Sequence, residues 1–274
     1  MLCLRFTIEI AMETLFFLGI LGLIFGSFIT SLTYQVARAD FSWAKLWRRS
    51  KCPKCMHALS WQDNIPLISY IVLGGKCRKC KKRISLRYPL IEIITVSIFL
   101  SLHIGSAGMI PLPMWDRGDL TLPYLLFLTV GLLSIAIVDF EHQIIPDKIL
   151  FPLITIHLSL ITIFSPSPTL FINFLWAAAA AVFFLFLCFV TRGRGMGLGD
   201  VKLAFLIGLI AGGYTWLAIF IAFIVGSVIG IFLVIARQAH FGKPIPFGPF
   251  LVAGTFITLL WGEQISGLLI GGTI

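Results

Sequence analysis

Long apolar runs, separated by short polar segments, make up most of the chain from about residue 14 onward. About 20 consecutive apolar residues are enough to cross the hydrocarbon core of a bilayer as an α-helix. The runs predict eight membrane-spanning helices, at 14–36, 88–106, 121–138, 149–165, 169–190, 201–214, 215–236 and 248–270. The sixth is the shortest, and the Ala-Gly-Gly sequence at 211–213 predicts a tight turn or a re-entrant tip at its end. The predicted fold is an all-α polytopic membrane protein.

Composition and charge agree with this fold and set its orientation. Hydrophobic residues make up 58% of the chain and charged residues only 12%, which excludes an ordinary soluble domain. Nineteen of the 21 Lys and Arg residues fall at 37–87, 139–148, 191–202 and 237–247, so the positive-inside rule places these segments in the cytoplasm and both termini outside. The net charge of +9 therefore indicates topology rather than nucleic acid, although the 37–87 loop also suits anionic headgroups or an acidic partner. Met12 directly precedes the first run and is an alternative start.

Two Cys-x-x-Cys pairs lie in the long loop at 37–87, with 21 residues between the pairs. The four residues are Cys52, Cys55, Cys77 and Cys80. Their spacing is typical of a zinc ribbon, in which four thiolates close a tetrahedral structural site. Because the loop is predicted to face the reducing cytoplasm, zinc is favoured over disulfides. His57 is an alternative ligand or an ordinary exposed histidine, and Cys188 is interpreted as a packing residue.

Two aspartates lie at the predicted cytoplasmic ends of apolar runs. Asp139 ends the third predicted span, and Asp200 directly precedes the sixth. Two neighbouring carboxyl groups share one proton, so one can take a proton from water while the other donates a proton to an amide. Partial burial strengthens this sharing, because the doubly charged state is costly. The pair predicts aspartic peptidase chemistry with Asp139 and Asp200 as the catalytic residues.

Other interpretations of this region stay open. The glycines at 193, 195, 197 and 199 let the backbone pass close to a substrate. A nucleotide-binding loop is the other interpretation of this glycine run, but the run does not fit GxGxxG and follows a predicted membrane helix instead of a strand. Asp139 and His142, with Asp147 and Asp200, also form a candidate metal site. Finally, both members of the aspartate pair are compatible with a plain role as interfacial helix caps.

The segments around these residues resemble the bacterial type IV prepilin peptidases, which also serve type II secretion and competence systems. The matching segments are 52–55, 61–70, 75–80, 84–92, 139–147, 195–203 and 245–250. The sequence Gly-Leu-Gly-Asp at 197–200 resembles the signature of GxGD-type intramembrane aspartic peptidases. The likeness covers nearly the whole chain beyond residue 20 and departs from the family at Thr30 and Gln35, where the family usually carries Asn and Arg.

This resemblance implies cleavage of the short basic leader of prepilins or pseudopilins, after a glycine, at the cytoplasmic face of the bacterial inner membrane. It assigns catalysis to Asp139 and Asp200. It also implies that S-adenosylmethionine methylates the new N-terminal amine, with Gly75 and Lys76 matching the segment linked to that activity. Membrane lipid is the other expected partner, and nucleic acid is not expected. The implied domains are a first transmembrane helix at 14–36, a zinc-binding four-cysteine domain at 37–87 and a transmembrane aspartic peptidase domain at 88–274.

Two other classes of protein fit parts of the pattern. A transporter would use interfacial aspartates as ion or proton relays, but the predicted spans contain almost no ionisable groups apart from Glu92 and His157, and no inverted repeat is obvious. A thiol oxidoreductase would use the loop cysteines as redox pairs. Ion flux without proteolysis would support the first class, and cysteine labelling only after reduction would support the second.

Overall fold

The computed structural model describes residues 2–36, 41–42, 50–106, 118–164, 167–193, 195–237 and 245–270. Seven of the cations used to predict the topology lie outside these residues: Arg38, Lys45, Arg48, Arg49, Arg117, Arg194 and Lys243. The described residues are mostly helical, as the apolar runs predicted.

Nine α-helices form in the described residues, and all except the second have 14 residues or more. They are α1 (Leu2–Val36), the five-residue α2 (Ile68–Val72), α3 (Arg87–Ser106), α4 (Gly118–His142), α5 (Asp147–Phe164), α6 (Ser167–Val190), α7 (Leu198–Ala211), α8 (Thr215–Ile235) and α9 (Gly248–Ile270). A 3₁₀ helix at Trp61–Asn64 precedes α2. The prediction of an all-α fold is confirmed.

Six stretches of the described chain are long and apolar enough to cross a membrane. They are Met12–Val36, Arg87–Ile104, Leu122–His142, Pro168–Val190, Leu198–Ile235 and Gly248–Leu269. The fifth has 38 residues and contains both α7 and α8, which a 3₁₀ turn at Gly212–Tyr214 separates. The predicted tight turn is therefore confirmed. Counting α7 and α8 separately and adding α5 gives the predicted eight spans, a number that is approximate.

The helices that carry the two aspartates extend beyond their predicted bounds. α4 continues through Asp139 to His142, whereas the predicted span ended at residue 138. α7 begins at Leu198, so Asp200 lies inside its first turn rather than before it. Hydropathy missed these turns because polar residues at a helix end resemble a loop in composition.

The chain divides into two compact units, Met1–Ile104 and Gly105–Ile274. In the first unit, α1 and α3 approach closely at Gly26, where an added Cβ would lie 2.6 Å from the Cα of Glu92. A residue without a side chain lets two helix backbones come this near. One Arg87 nitrogen, Nη2, donates a hydrogen bond to Oγ1 of Thr33 at 2.7 Å. These contacts join the ends of α1 and α3 next to the cysteine loop.

In the second unit, α7 packs against α5, α6, α8 and α9. Its closest approach is to α6 at Gly208, where an added Cβ would lie only 2.3 Å from the Cα of Ala177. The C-terminal half of α7 is almost entirely buried. The helix that carries Asp200 is therefore held on several sides.

A buried polar network closes the far end of α7. Nε2 of His157 donates a hydrogen bond to the carbonyl of Leu209 at 3.1 Å, and the amide of Asn173 donates to the same carbonyl at 3.3 Å. Because this carbonyl can only accept, Nδ1 of His157 accepts from the hydroxyl of Tyr124. The network satisfies polar groups that would be costly to bury unpaired. It gives the ionisable His157 a structural role within the bundle.

Candidate active site and metal centre

The two Cys-x-x-Cys pairs form two turns with the same hydrogen bonds. In each turn, the N–H of the first cysteine, Cys52 or Cys77, donates to the carbonyl five residues on, at 2.9 Å. Its own carbonyl accepts from the N–H four residues on, at 2.9 Å in the first turn and 3.0 Å in the second. The residues at that fourth position, Met56 and Lys81, have positive φ values of 57° and 56°. The same spacing thus produces the same local fold twice.

The two turns bring the four cysteines together. The sulfurs of Cys52, Cys55, Cys77 and Cys80 all lie within 4.8 Å of one another. The Sγ atoms of Cys52 and Cys80 are 4.0 Å apart. A cluster of this size could hold a metal ion, and no other group of three or more His, Cys, Asp or Glu side chains in the described residues is arranged to do so. His57 is not part of the cluster.

The clustered thiols differ in acidity. Backbone N–H groups of Cys80 and Lys79 point at the sulfur of Cys77 and lower its pKa to about 7. At Cys55 a backbone hydrogen bond from His57 lowers the pKa, but partial burial and the three neighbouring thiols together outweigh it and raise the pKa to about 11. Cys77 therefore loses its proton at a lower pH than Cys55 does, and a bound cation would favour the thiolate form of its cysteine ligands.

Gly75 and Lys76 form the turn that leads into the second cysteine pair. Gly75 has a φ of +66°, its N–H donates to the carbonyl of Tyr70 at 2.9 Å, and its carbonyl accepts from the N–H of Ile84 at 2.7 Å. Both backbone polar groups of Gly75 are thus engaged within the domain, and a side chain there would meet the Tyr70 hydroxyl at 3.0 Å. The side chain of Lys76 is exposed.

A cavity of about 330 Å³ opens in the same loop. It is lined by Ser50, Leu59, Ser60, Trp61 and Asn64. Asp63 fixes one side of it, because its carboxylate accepts hydrogen bonds from Oγ of Ser60 at 2.8 Å and from Nε of Arg78 at 2.9 Å. These two partners hold the pKa of Asp63 below its usual range. The cavity wall is thereby tied to the second cysteine turn, which contains Arg78.

Asp139 lies in the last turn of α4 and only 5% of its surface is exposed. Its Oδ2 accepts a hydrogen bond from the backbone N–H of Gly248 at 2.9 Å. Gly248 is the first residue of α9, so this N–H has no acceptor within its own helix. A Cβ at position 248 would lie 2.7 Å from the same oxygen. Glycine is therefore required for the backbone to reach Asp139.

Asp200 is the third residue of α7, and its Oδ2 accepts a hydrogen bond from the N–H of Gly197 at 3.0 Å. This contact caps the start of the helix. The neighbouring Gly199 packs on Ile145, whose Cβ would lie 3.0 Å from an added Cβ. Because Ile145 belongs to the short turn between α4 and α5, the start of α7 rests against the segment that follows Asp139.

The carboxyl groups of Asp139 and Asp200 are near enough to interact electrostatically. They come from different helices, α4 and α7, and each receives its backbone hydrogen bond on one oxygen. The other oxygen of each carboxyl group can then bind a water molecule. The arrangement has the parts that acid–base hydrolysis needs.

Asp147, the first residue of α5, makes a different contact. Nζ of Lys202 lies 2.8 Å and 2.9 Å from its two oxygens, and both side chains are about half exposed. Asp139, His142, Asp147 and Asp200 are all among the described residues, and they do not come together as a group of metal ligands. The geometry thus does not support the metal interpretation of these residues.

Comparisons with known proteins match both parts of the chain. The model of the bacterial peptidase A24 N-terminal domain matches residues 20–105, and that of the type IV leader peptidase family matches residues 126–235. A Pseudomonas aeruginosa protein named prepilin leader peptidase/N-methyltransferase is 38% identical over 226 residues, which cover 79% of this chain and 73% of that protein. The chain belongs to the type IV leader peptidase family. This membership confirms the resemblance noted in the sequence.

Other relatives of this leader peptidase family member carry the same name. A Stutzerimonas stutzeri protein is 37% identical over 226 residues, covering 79% of this chain and 73% of its own. A Bacillus subtilis protein is 30% identical over 251 residues, covering 90% of this chain and 94% of its own. No solved structure matches the chain. Family membership and the six apolar stretches together make it a multi-pass inner-membrane protein.

Two residues of this leader peptidase family member make contacts that the sequence pattern did not predict. The N–H of Gly248 donates a hydrogen bond to Asp139, and the feature of the sequence that could have drawn attention to Gly248 is the Gly-Pro pair that opens an apolar run. Glu92 is buried in α3 and accepts a hydrogen bond from the N–H of Leu67 at 2.8 Å. The feature of the sequence that could have drawn attention to Glu92 is that it is a lone carboxylate inside an apolar span, because such a residue usually has a specific partner.

Proposed function

We propose that this protein is a membrane-embedded aspartic endopeptidase that removes the leader of prepilins or pseudopilins and then methylates the new N-terminus. Asp139 and Asp200 are the proposed catalytic pair. The observations that carry the proposal are that these two carboxyl groups, from α4 and α7, lie near enough to interact electrostatically and that each accepts a hydrogen bond from a backbone N–H. The names of the relatives supply the substrate and the two reactions.

In the proposed reaction, one carboxylate takes a proton from a water molecule while the other carboxyl group donates its proton to the nitrogen of the scissile amide. The oxygen of that water bonds to the carbonyl carbon and the carbon–nitrogen bond breaks. The products are a leader with a new carboxyl group and a pilin with a free amine. The aspartates exchange roles and keep one proton between them. Gly248 and Gly197 contribute by fixing the two carboxyl groups before the substrate arrives.

Replacing either catalytic carboxyl group tests this pair. Asp139→Asn and Asp200→Asn keep the size of the side chain but remove the acid–base group, so each should lower prepilin cleavage by roughly 1,000-fold, which is within the usual contribution of one general acid or base. Because the two carboxyl groups act as a unit, the double variant should lose little more than either single variant. Asp147→Asn is the matched control, because Asp147 lies in the neighbouring segment and pairs with Lys202 instead. Normal cleavage by either member of the pair, measured on a gel with a purified prepilin, would remove the dyad from the mechanism.

We also propose that the metal of the cysteine cluster is a structural zinc ion. Zinc–sulfur bonds of about 2.3 Å place tetrahedral sulfurs about 3.8 Å apart, which suits the 4.0 Å separation of Cys52 and Cys80. Four cysteine ligands leave no open position, so this ion would order the loop without taking part in hydrolysis. Metal analysis with alkylation tests the assignment. Labelling that appears only after metal is stripped supports zinc, whereas labelling that appears only after reduction would instead indicate disulfides.

S-adenosylmethionine is the proposed methyl donor, and its site is proposed in the cavity of the cysteine loop. Trp61 and Asn64 line the cavity, where the exposed indole of Trp61 can stack on an adenine base and the Asn64 amide can hydrogen-bond to it. Lys76 does not line the cavity, but its exposed ammonium is proposed to pair with the carboxylate of the cofactor. Gly75 contributes the turn rather than a contact, because its backbone groups are already engaged. When bound, the cofactor supplies an electrophilic methyl group for the pilin amine.

Separate measurements of binding and of the two reactions test this site. Trp61→Ala and Lys76→Ala should each weaken binding of S-adenosylhomocysteine, measured by calorimetry, about tenfold or more, and should leave unmethylated but cleaved pilin in mass spectra. Lys54→Ala is the control, since Lys54 is an exposed lysine in the first cysteine turn, away from both the cavity lining and the segment around Gly75 and Lys76. Unchanged binding in both variants would place the methyl donor elsewhere.

The cysteine loop and the aspartate pair are proposed to face the cytoplasm. The distribution of 19 of 21 cations supports this orientation. The proposed domains remain a first transmembrane helix at 14–36, a cysteine domain at 37–87 and a peptidase domain at 88–274. After a membrane-permeant chelator has removed the metal, an impermeant thiol reagent should label the loop cysteines in inverted membrane vesicles but not in intact cells. Labelling in intact cells would show that the loop faces outward and would contradict the proposed orientation.

A further inference from the structure

The short helix α2 exposes an apolar face. Ile68, Ile71 and Val72 are 57%, 74% and 74% exposed, and their i, i+3 and i+4 spacing places them on one side of the helix. Leu86, which directly precedes α3, and Leu90, in its first turn, are also exposed. A group of this kind on a loop domain indicates a surface that another apolar phase covers.

The depth of α2 relative to the membrane follows from the hydrogen bond that precedes it. The N–H of Leu67 donates to Oε2 of Glu92 at 2.8 Å. Glu92 lies five residues into the apolar stretch that begins at Arg87, which corresponds to about 7.5 Å along a helix with a rise of 1.5 Å per residue. Because helical side chains lean toward the N-terminus, Leu67 and the start of α2 are level with the first two turns of this stretch. That level is the boundary between headgroups and acyl chains, where an interfacial helix buries its apolar face.

The charges around α2 complement an anionic membrane surface. Residues 50–87 contain nine Lys and Arg residues and one acidic residue, Asp63, which already pairs with Arg78. Six of these cations follow α2 closely and are all exposed: Lys76, Arg78, Lys79, Lys81, Lys82 and Arg83. An apolar face beside a cationic rim is the pattern of a segment that lies in the interface and binds anionic headgroups.

We propose that α2 is an interfacial helix that inserts Ile68, Ile71 and Val72 into the leaflet from which α3 begins, with the cations of the second cysteine turn on anionic headgroups. Lipid is the proposed partner of this apolar face, because the surrounding cations complement anionic headgroups and because Leu86 and Leu90 near the start of α3 are exposed as well. The hydrogen bond from Leu67 to Glu92 ties the residue that precedes α2 to α3. This inference is independent of the peptidase chemistry in the second unit.

Spin labels at known positions measure the depth of α2. A ketone amino acid at position 71 is labelled without touching the cysteines, and Lys54, exposed in the first cysteine turn, is the control position. The full-length protein is reconstituted in phosphatidylcholine vesicles with or without phosphatidylglycerol. At position 71 the ratio of collisions with oxygen to collisions with a water-soluble nickel complex should be at least threefold higher than at position 54, and higher still with the anionic lipid.

Several outcomes decide against the proposal. Equal ratios at positions 71 and 54 in anionic vesicles would place α2 in water. Protection of position 71 only after a prepilin is added would make the surface a substrate site, and protection that depends on protein concentration would make it an interface between copies of this chain. A label at position 72, on the same face of α2, repeats the depth measurement with a second variant. The metal content of each variant shows whether the cysteine domain is folded. Cleavage of prepilin, measured on the same samples, reports on the peptidase separately.

Discussion

Replacing Gly248 with alanine should displace the carboxyl group of Asp139 without removing it. The new Cβ would lie 2.7 Å from Oδ2 and 3.1 Å from Cγ of Asp139. An ordinary carbon–oxygen contact is about 3.4 Å, so the carboxyl group or the start of α9 must move by about 0.7 Å. Asp139 is buried in the last turn of α4, which limits the directions in which it can move.

The size of the effect follows from the hydrogen bond that this movement breaks. A hydrogen bond to a charged group contributes about 1.5 to 3 kcal/mol, and each 1.4 kcal/mol is a factor of ten in rate. Loss of the 2.9 Å contact between Gly248 and Asp139 should therefore slow cleavage about 10- to 100-fold. Displacements of about 1 Å at reacting groups commonly cost about 100-fold, which agrees with this range.

Initial rates of prepilin cleavage by purified protein, compared as kcat/KM, give the measurement. Gly267→Ala is the matched control, because Gly267 is in the same helix and nothing lies within 4 Å of an added Cβ there. This control should cleave at the unmodified rate. A Gly248→Ala protein that unfolds at the same temperature as the control and cleaves within twofold of it would refute the role given to the hydrogen bond from Gly248.

Three further results are expected. A chelator too weak to empty the cysteine cluster should leave cleavage unchanged at constant metal content, and lost cleavage would revive a catalytic metal. Gly208→Val should destabilise the bundle by more than about 2 kcal/mol, seen as early thermal aggregation, because even a Cβ would lie 2.3 Å from the Cα of Ala177; unchanged stability would contradict this packing. Lys202→Met and Asp147→Asn should each lower the unfolding free energy by less than about 1 kcal/mol, an effect that salt reduces, because both side chains are about half exposed. A larger loss in denaturant titrations would mean a more buried pair.

The sequence predicts the helices well because a span of about 20 apolar residues requires little besides length. Helix ends were less predictable. Asp139 and His142 continue α4 although they are polar, since a distant group, the N–H of Gly248, satisfies the carboxylate. These two partners are 109 residues apart in sequence, and no local pattern reports such a contact. The position of Asp200 inside α7 was missed for a similar reason, because a capping carboxylate suits either side of a helix start.

The cysteine cluster was predictable from its spacing because each Cys-x-x-Cys pair builds its own turn from local hydrogen bonds. Gly75 shows the limit of an inference by resemblance. The resemblance to the family associates the segment around Gly75 with methyl transfer. In the structure, the positive φ of Gly75 and the hydrogen bonds of its N–H and carbonyl show that this residue shapes the turn of the chain. The partner of Glu92 could not be predicted either, because Leu67 lies 25 residues away, before a helix too short to give a periodic signal.

The length of α7 has a consequence for the lipids around the protein. Its 14 residues extend about 21 Å, whereas the hydrocarbon core of a typical bilayer is about 30 Å thick. The turn at Gly212–Tyr214 therefore lies at the depth of the acyl chains, enclosed by the neighbouring helices, or the leaflets become thinner around the bundle. In either case the thickness of the bilayer determines how deep Asp200 lies when a pilin helix arrives. A change in the acyl-chain length of the host membrane should therefore shift the depth of this carboxyl group relative to a substrate helix that spans the same bilayer.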